Sequence, residues 1–251
     1  MPPPPNDIEK ILSQLRKDFS SRDGFENHTF KTPQKTYSLI KIVLGEGNRL
    51  KALISAGIHG DEPGGVETLC SLPESEYAFS NDWELTLLPC LNPYGYEHGI
   101  RENHDGKDLN RLFKHVSPPY EVEFAQSVFE KKYDVAIELH EDDMSAGYYL
   151  YQQCTNPKDV HLGRKILNAV KSYMPINMDK EIDGCTAEQG IIVQNTDHDS
   201  MDWWPMALYA ISKGTRVCLT LETATEYQME TRVKAHSAAI NTALKYFSEN
   251  L

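Results

Sequence analysis

The chain has 251 residues, 40% hydrophobic and 25% charged, a composition that places it among globular proteins and not among disordered ones. Its formal net charge of −12 leaves no basic face for a phosphate backbone, which argues against a nucleic-acid partner. No apolar run approaches the ~20 residues of a membrane span, so no membrane partner is expected either.

The opening MPPPPNDIEK has neither the basic nor the apolar region of a secretory signal. Five scattered cysteines without a CxxC pair read as reduced thiols, and the expected compartment is the cytoplasm. A chain of this length suits one domain over residues 1–251.

Asn6 with Glu9 resembles a capping box, and Ile8, Ile11, Leu12, Leu15 and Phe19 recur at helical spacing behind it. HTFKT and TYSLIKIVL are two extended pieces. The turn at residues 45–48 predicts that 36–44 and 49–58 pair as a hairpin. LKALISAGI reads as a strand covered on both faces, and Val66, Leu69, Cys70 and Leu72 as a helix ended by Pro73.

WELTLLPCL (83–91) is a further buried strand, followed by a polar loop to Phe113. A helix is predicted over 120–132, then strands DVAIELH (134–140) and YYLYQQ (148–153). Val160, Ile166, Leu167, Val170 and Met174 face inward on a helix over 158–174, and 191–194 reads as a short strand. Residues 203–211 form a helix with Pro205 in its first turn. TRVCLTLET (215–223) is the last strand, and a final helix over 226–248 turns Met229, Val233, Ile240, Leu244 and Phe247 inward. Such alternation implies a mixed sheet between helices, with sites beyond the carboxyl ends of its strands.

Three segments carry chemistry. His59 and Glu62, on a glycine-rich turn after a strand, can hold one zinc ion from one side. His140, closing the strand DVAIELH, is the expected third ligand, and Glu138 is placed to orient it. The loop NPYGYEHGIRENHDGKDLNRLF supplies Arg101, Asn110 and Arg111. Two arginines and an asparagine suit two tasks, gripping a substrate carboxylate and polarising a carbonyl. Glu222 sits in the apolar strand VCLTLETA, where a carboxylate needs a partner or a function and can serve as a general base. The plainer readings are structural histidines, solvated loop ion pairs and a strand-end charge reaching water.

HGDE with its downstream histidine, the 92–113 loop and the LET strand together resemble the zinc carboxypeptidase family. That broad family includes the succinylglutamate desuccinylase and aspartoacylase deacylases and small murein peptide amidases. The resemblance spans roughly residues 50 to 225, and an ordered set of motifs is more specific than any one of them. It implies a mixed, mainly parallel eight-stranded sheet sandwiched between helices, an α/β fold. It also implies that His59, Glu62 and His140 hold one Zn2+ ion and that Arg101 polarises the scissile carbonyl. Asn110 and Arg111 then hold a terminal carboxylate, and Glu222 is the catalytic glutamate. Tyr209 is the candidate for the family's mobile tyrosine, with Tyr148 and Tyr149 competing. The deacylases usually carry a further β-rich domain after the catalytic glutamate, whereas one helix follows Glu222 here, which favours an open, carboxypeptidase-like or amidase-like site.

The expected function is therefore a zinc metallopeptidase that cleaves the amide bond beside a residue with a free carboxylate, through a zinc-activated water and Glu222. Its partner is a small peptide or acyl amino acid. The alternatives are an N-acyl amino acid deacylase, a murein peptide amidase, and a catalytically silent peptide- or metal-binding module. Asp197, Asp199 and Asp202 stand where the specificity wall is expected and read more readily as a solvated acidic loop. Oligomeric state is not legible.

Overall fold

The computed structural model describes residues 6–72, 81–193 and 201–250. In chain order the strands are β1 (Phe25–Lys31), β2 (Thr36–Leu44), β3 (Leu50–Ala56), β4 (Trp83–Leu88), β5 (Val135–Asp142) and β6 (Tyr149–Cys154). They continue with β7 (Glu181–Ile182), β8 (Cys185–Thr186), β9 (Ile191–Val193) and β10 (Val217–Ala224). The pair β7–β8 is a small separate hairpin, and the other eight form one sheet in the order β1-β2-β4-β3-β5-β10-β6-β9. The central β4, β3, β5 and β10 run parallel, while β2 joins β4 and β6 joins β10 antiparallel. LKALISA and WELTLL bury nearly every residue because helices cover both faces of these strands.

The helices are α1 (Ile8–Phe19), α2 (Pro63–Ser71), α3 (Pro93–His98), α4 (Tyr120–Ser127), α5 (Leu162–Val170), α6 (Met206–Ser212) and α7 (Met229–Glu249). Side chains alternate across a strand, so each strand feeds two cores. Ile54, Ile137 and Leu219 pack with α1, α2, α5 and α7 on one face. Leu53, Ala136 and Cys218 pack with α4 and α6 on the other. No helix among the described residues is long and apolar enough to cross a membrane.

The sequence expectations need four corrections. The predicted hairpin between 36–44 and 49–58 does not form, because β4 lies between β2 and β3. The turn that suggested it wraps the start of β4 instead: Asn48 donates to the Trp83 carbonyl at 3.0 Å and Gly47 N–H to Glu84 at 2.9 Å. The first helix is capped by Asp7, which accepts from Lys10 N–H at 3.0 Å, while Asn6 is drawn away to donate to the Tyr96 carbonyl. The polar loop after β4 contains α3, capped by Asn92 and ended at Gly99 with φ +62°. Finally, residues 157–161 are a 3-10 turn, whose tighter winding throws Val160 outward to 46% exposure.

The parallel run of β3, β5 and β10 fixes where chemistry can gather. Their carboxyl ends lie side by side, with His140 and Glu222 as paired positions on neighbouring strands. Paired residues share a face, and adjacent strands stand about 4.8 Å apart.

Candidate metal centre

After β3 the chain turns through residues 57–62 before Pro63 opens α2. Gly60 presses against α3 so closely that a Cβ there would lie 1.9 Å from the Gly95 carbonyl carbon, which only glycine permits. Asn92 and the Gly60 N–H both donate to the Arg101 carbonyl, tying this turn to the arginine loop.

His59, Glu62 and His140 are brought together and buried, at 3%, 6% and 3% exposure. His59 Nδ1 lies 2.7 Å from one Glu62 oxygen, and His140 Nδ1 lies 2.8 Å from the other. Their ligand atoms fall within 4.8 Å of one another, the one such His, Cys, Asp and Glu group among the described residues. His59 Nε2 lies in hydrogen-bond reach of Asp108 at 3.2 Å. His140 Nε2 instead faces Glu138 at 3.6 Å, and neither that nitrogen nor the Glu138 carboxylate has a hydrogen-bond partner among the described residues. A carboxylate at Nε2 can orient an imidazole and favour the ring proton on that side when Nδ1 takes a metal ion.

At 2.7 and 2.8 Å the two Nδ1 atoms share protons with the Glu62 oxygens, a place that a bound cation can take instead. The donor set fits zinc: two imidazoles and one carboxylate, with a fourth position for water. The electrostatics agree. Burial opposes charge on Glu62, yet His59 and His140 prevail and hold its carboxyl well below the usual carboxylate range. Burial also opposes charge on His140, but Glu62, Glu138 and Glu222 around it raise its pKa well above that of a free imidazole.

Glu222 is 8% exposed and shares a face with His140 on the neighbouring strand. Burial, with Glu62, Asp142 and Asp183 nearby, pushes its carboxyl well above the usual range, against the pull of His140. Tyr149 pairs with Glu222 from the other side and donates to Asp142 at 2.8 Å.

Asp108, expected from the sequence as a possible partner of the loop arginines, pairs with Arg101, and its contact with His59 is what the sequence did not show. Besides His59 it receives Arg101 Nε at 3.0 Å and the Asn110 N–H at 3.0 Å, so one carboxylate joins His59 to both arms of the arginine loop. Burial would raise its pKa, but His59, Arg101 and Arg111 keep it well below the ordinary aspartate value. Its place as an acidic neighbour of Arg101 and Arg111 in the loop signals the arginine pairing but not the contact with His59.

Arg101 also reaches Glu62 at 3.5 Å, beside the metal-facing carboxylate. The Asn110 side-chain oxygen accepts from Met206 N–H at 2.9 Å, which leaves its NH2 group as the function to offer a ligand. Arg111 sits over the Trp203 ring, its guanidinium carbon 4.4 Å from the ring centroid. Tyr209 is not brought into this group: its ring packs at 5.8 Å from Phe113 and 5.6 Å from Phe129. Asp202 is exposed, and Asp197 and Asp199 lie outside the described residues.

A mixed, mainly parallel eight-stranded sheet between helices is the architecture of metallocarboxypeptidase-like proteins. More specifically, the chain belongs to the succinylglutamate desuccinylase/aspartoacylase catalytic domain family, whose model matches residues 48–231. A candidate metallopeptidase from Shewanella denitrificans OS217 is similar at 25% identity and TM-score 0.80, over 96% of this chain and 90% of that one. A metallo-carboxypeptidase from Burkholderia cenocepacia shares the fold at 15% identity and TM-score 0.71, over 98% and 70%. The tripeptide-bound cell shape determinant Csd4 from Helicobacter pylori does so at 18% and 0.63, over 83% and 55%. Among curated proteins no match is found.

Proposed function

We propose that this chain is a zinc-dependent hydrolase that cleaves the amide bond next to a residue bearing a free carboxylate, as a metallocarboxypeptidase does. The observation that carries this reading is Asp108, which couples the His59–Glu62–His140 ligand set to an arginine loop suited to a carboxylate. A bound zinc ion supplies a Lewis acid for the scissile carbonyl and acidifies a water. Arg101, beside Glu62, meets negative charge as it builds on the carbonyl oxygen. Glu222, with its raised proton affinity, takes the proton of the attacking water and returns it to the leaving nitrogen. Asn110 and Arg111 receive the substrate carboxylate, so the bond presented for attack is set by its distance from that end. Tyr149, beside Glu222, replaces Tyr209 as the tyrosine proposed to meet substrate.

The family match favours a second reading on the same residues, an N-acyl amino acid deacylase. Both cut an amide beside a free carboxylate and differ in what lies on the acyl side. Murein-type peptides, the remaining alternative from the sequence, stay among the substrates to test. A silent binding module would have no need of a buried carboxylate such as Glu222. The five cysteines are all free thiols, in keeping with a reducing, cytoplasmic location as part of this proposal.

The test is a mass-spectrometric survey of the zinc-loaded protein against unblocked peptides, their carboxyl-amidated twins, murein-type peptides and N-acyl amino acids. Loss of single C-terminal residues from unblocked peptides alone, abolished by Glu222→Gln, is the expected result. Cleavage confined to acyl amino acids or murein peptides moves the substrate class, and turnover indifferent to Glu222→Gln sinks the mechanism.

A further inference from the structure

His140 and Glu141 are neighbours on β5, so their side chains leave opposite faces of the sheet. His140 turns to the metal centre. Glu141 turns to the helical layer behind it, where its side chain is fully buried.

Four contacts converge on this residue. Its backbone N–H donates to Glu62 Oε2 at 3.1 Å, and its carboxylate Oε2 accepts from the Gly64 N–H, two residues beyond Glu62, at 2.7 Å. Its other oxygen accepts from Thr223, the neighbour of Glu222, at 3.1 Å and from Arg232 Nη1 on α7 at 2.7 Å. The approach to α2 leaves no slack, since a Cβ on Gly64 would lie 2.3 Å from Glu141 Oε1. Glu141 thus holds the Glu62 carboxylate through its own amide and the first turn of α2, two residues further on, through its side chain. It adjoins His140 and braces the residue next to Glu222.

We propose that Glu141, held by Arg232, is a positioning residue that sets the metal ligands from behind the sheet. The proposal rests on the reading of His59, Glu62 and His140 as ligands. The bland alternative is a buried ion pair that serves stability alone. Such pairs bring little net stability, because desolvation offsets their attraction, which leaves their retention to be explained by something else.

The donor inventory makes the residue type specific. Gly64, Thr223 and Arg232 all donate to Glu141, and only an ionised carboxylate accepts on both oxygens. Glu141→Gln keeps the shape, yet in either orientation its NH2 meets a donor. Outer partners of metal ligands typically change metal affinity by about 10–100-fold when replaced.

The experiment measures zinc dissociation constants by competition with a chromogenic chelator, alongside melting of the metal-free proteins. The control is Asp159→Asn at another buried pair, where Arg216 Nε and Nη2 bind Asp159 at 2.7 and 2.8 Å at the opposite end of β10. Glu141→Gln is expected to weaken zinc binding by about 10–100-fold. Asp159→Asn is expected to lower the melting temperature with zinc affinity within about twofold of the parent. Should Glu141→Gln fail to fold, Arg232→Lys, which keeps a cation beside Glu141 but loses the guanidinium, carries the test with a smaller loss in the same direction. Unchanged zinc affinity in the folded Glu141 or Arg232 variant, or an equal loss in Asp159→Asn, overturns the positioning role and leaves the hydrolase reading intact. A parent protein that binds no zinc overturns both.

Discussion

His236 on α7 gives a pH prediction whose size follows from burial. The ring is fully buried, with Nε2 3.4 Å from the Thr223 hydroxyl. Burial, helped by the positive charges of His140 and Arg232, lowers its pKa to about 3. In the unfolded chain an imidazole titrates near ~6.5. Below that pH the unfolded state takes up a proton that the folded state refuses until about pH 3, so this residue erodes stability as pH falls. One proton is worth about 1.4 kcal/mol per pH unit once the unfolded state is protonated. Between pH 7 and pH 5 that integrates to roughly 2 kcal/mol.

His236→Gln removes the titration and places an amide where Nε2 stood. Urea unfolding of the metal-free parent and variant at both pH values gives the difference directly, since other titrations cancel between them. The parent should lose about 2 kcal/mol more than the variant on acidification. Equal losses in the two proteins would mean that the folded ring carries a proton, and the argument from burial would fall.

Asp108→Asn should weaken zinc binding by about 10–100-fold, read by chelator competition, because His59 loses the carboxylate that orients its ring. Asn110→Ala strands the buried Met206 N–H at the start of α6, and thermal melting should show a loss of about 1–3 kcal/mol. Arg111→Ala should raise KM for free-carboxylate substrates while leaving carboxyl-amidated ones unaffected. An equal effect on both would remove Arg111 from the clamp.

The legible parts of this chain are those whose signal is local. DVAIELH and VCLTLETA are apolar runs with three polar residues each, so both the strands and the oddity of Glu138, His140 and Glu222 show in the sequence. Register then places His140 opposite Glu222, which no local pattern displays. Sheet order was misread where a short turn implied pairing, because the partners that decide it, Trp83 and Glu84, lie far along the chain. The contact of Asp108 with His59 and the role of Glu141 escape the sequence for a related reason. Each sits among other polar residues, so neither looks anomalous until the fold brings its partners in. The packing of the Tyr209 ring beside Phe113 and Phe129 is likewise invisible in the sequence.

The place of β10 in the sheet has a consequence for biosynthesis. It is the last strand in the described chain, yet it inserts between β5 and β6. From the end of β5 at Asp142 to the start of β10 at Val217, a ribosome adding about 5–20 residues per second takes roughly 4–15 s. Through that interval β5 presents an unpaired edge, the kind that recruits strands from other nascent chains. Its apolar half, VAI, is followed by ELHED, whose charges discourage such pairing. The residues proposed to gather and brace a metal ion in the finished protein also guard the open strand while the chain is still being made.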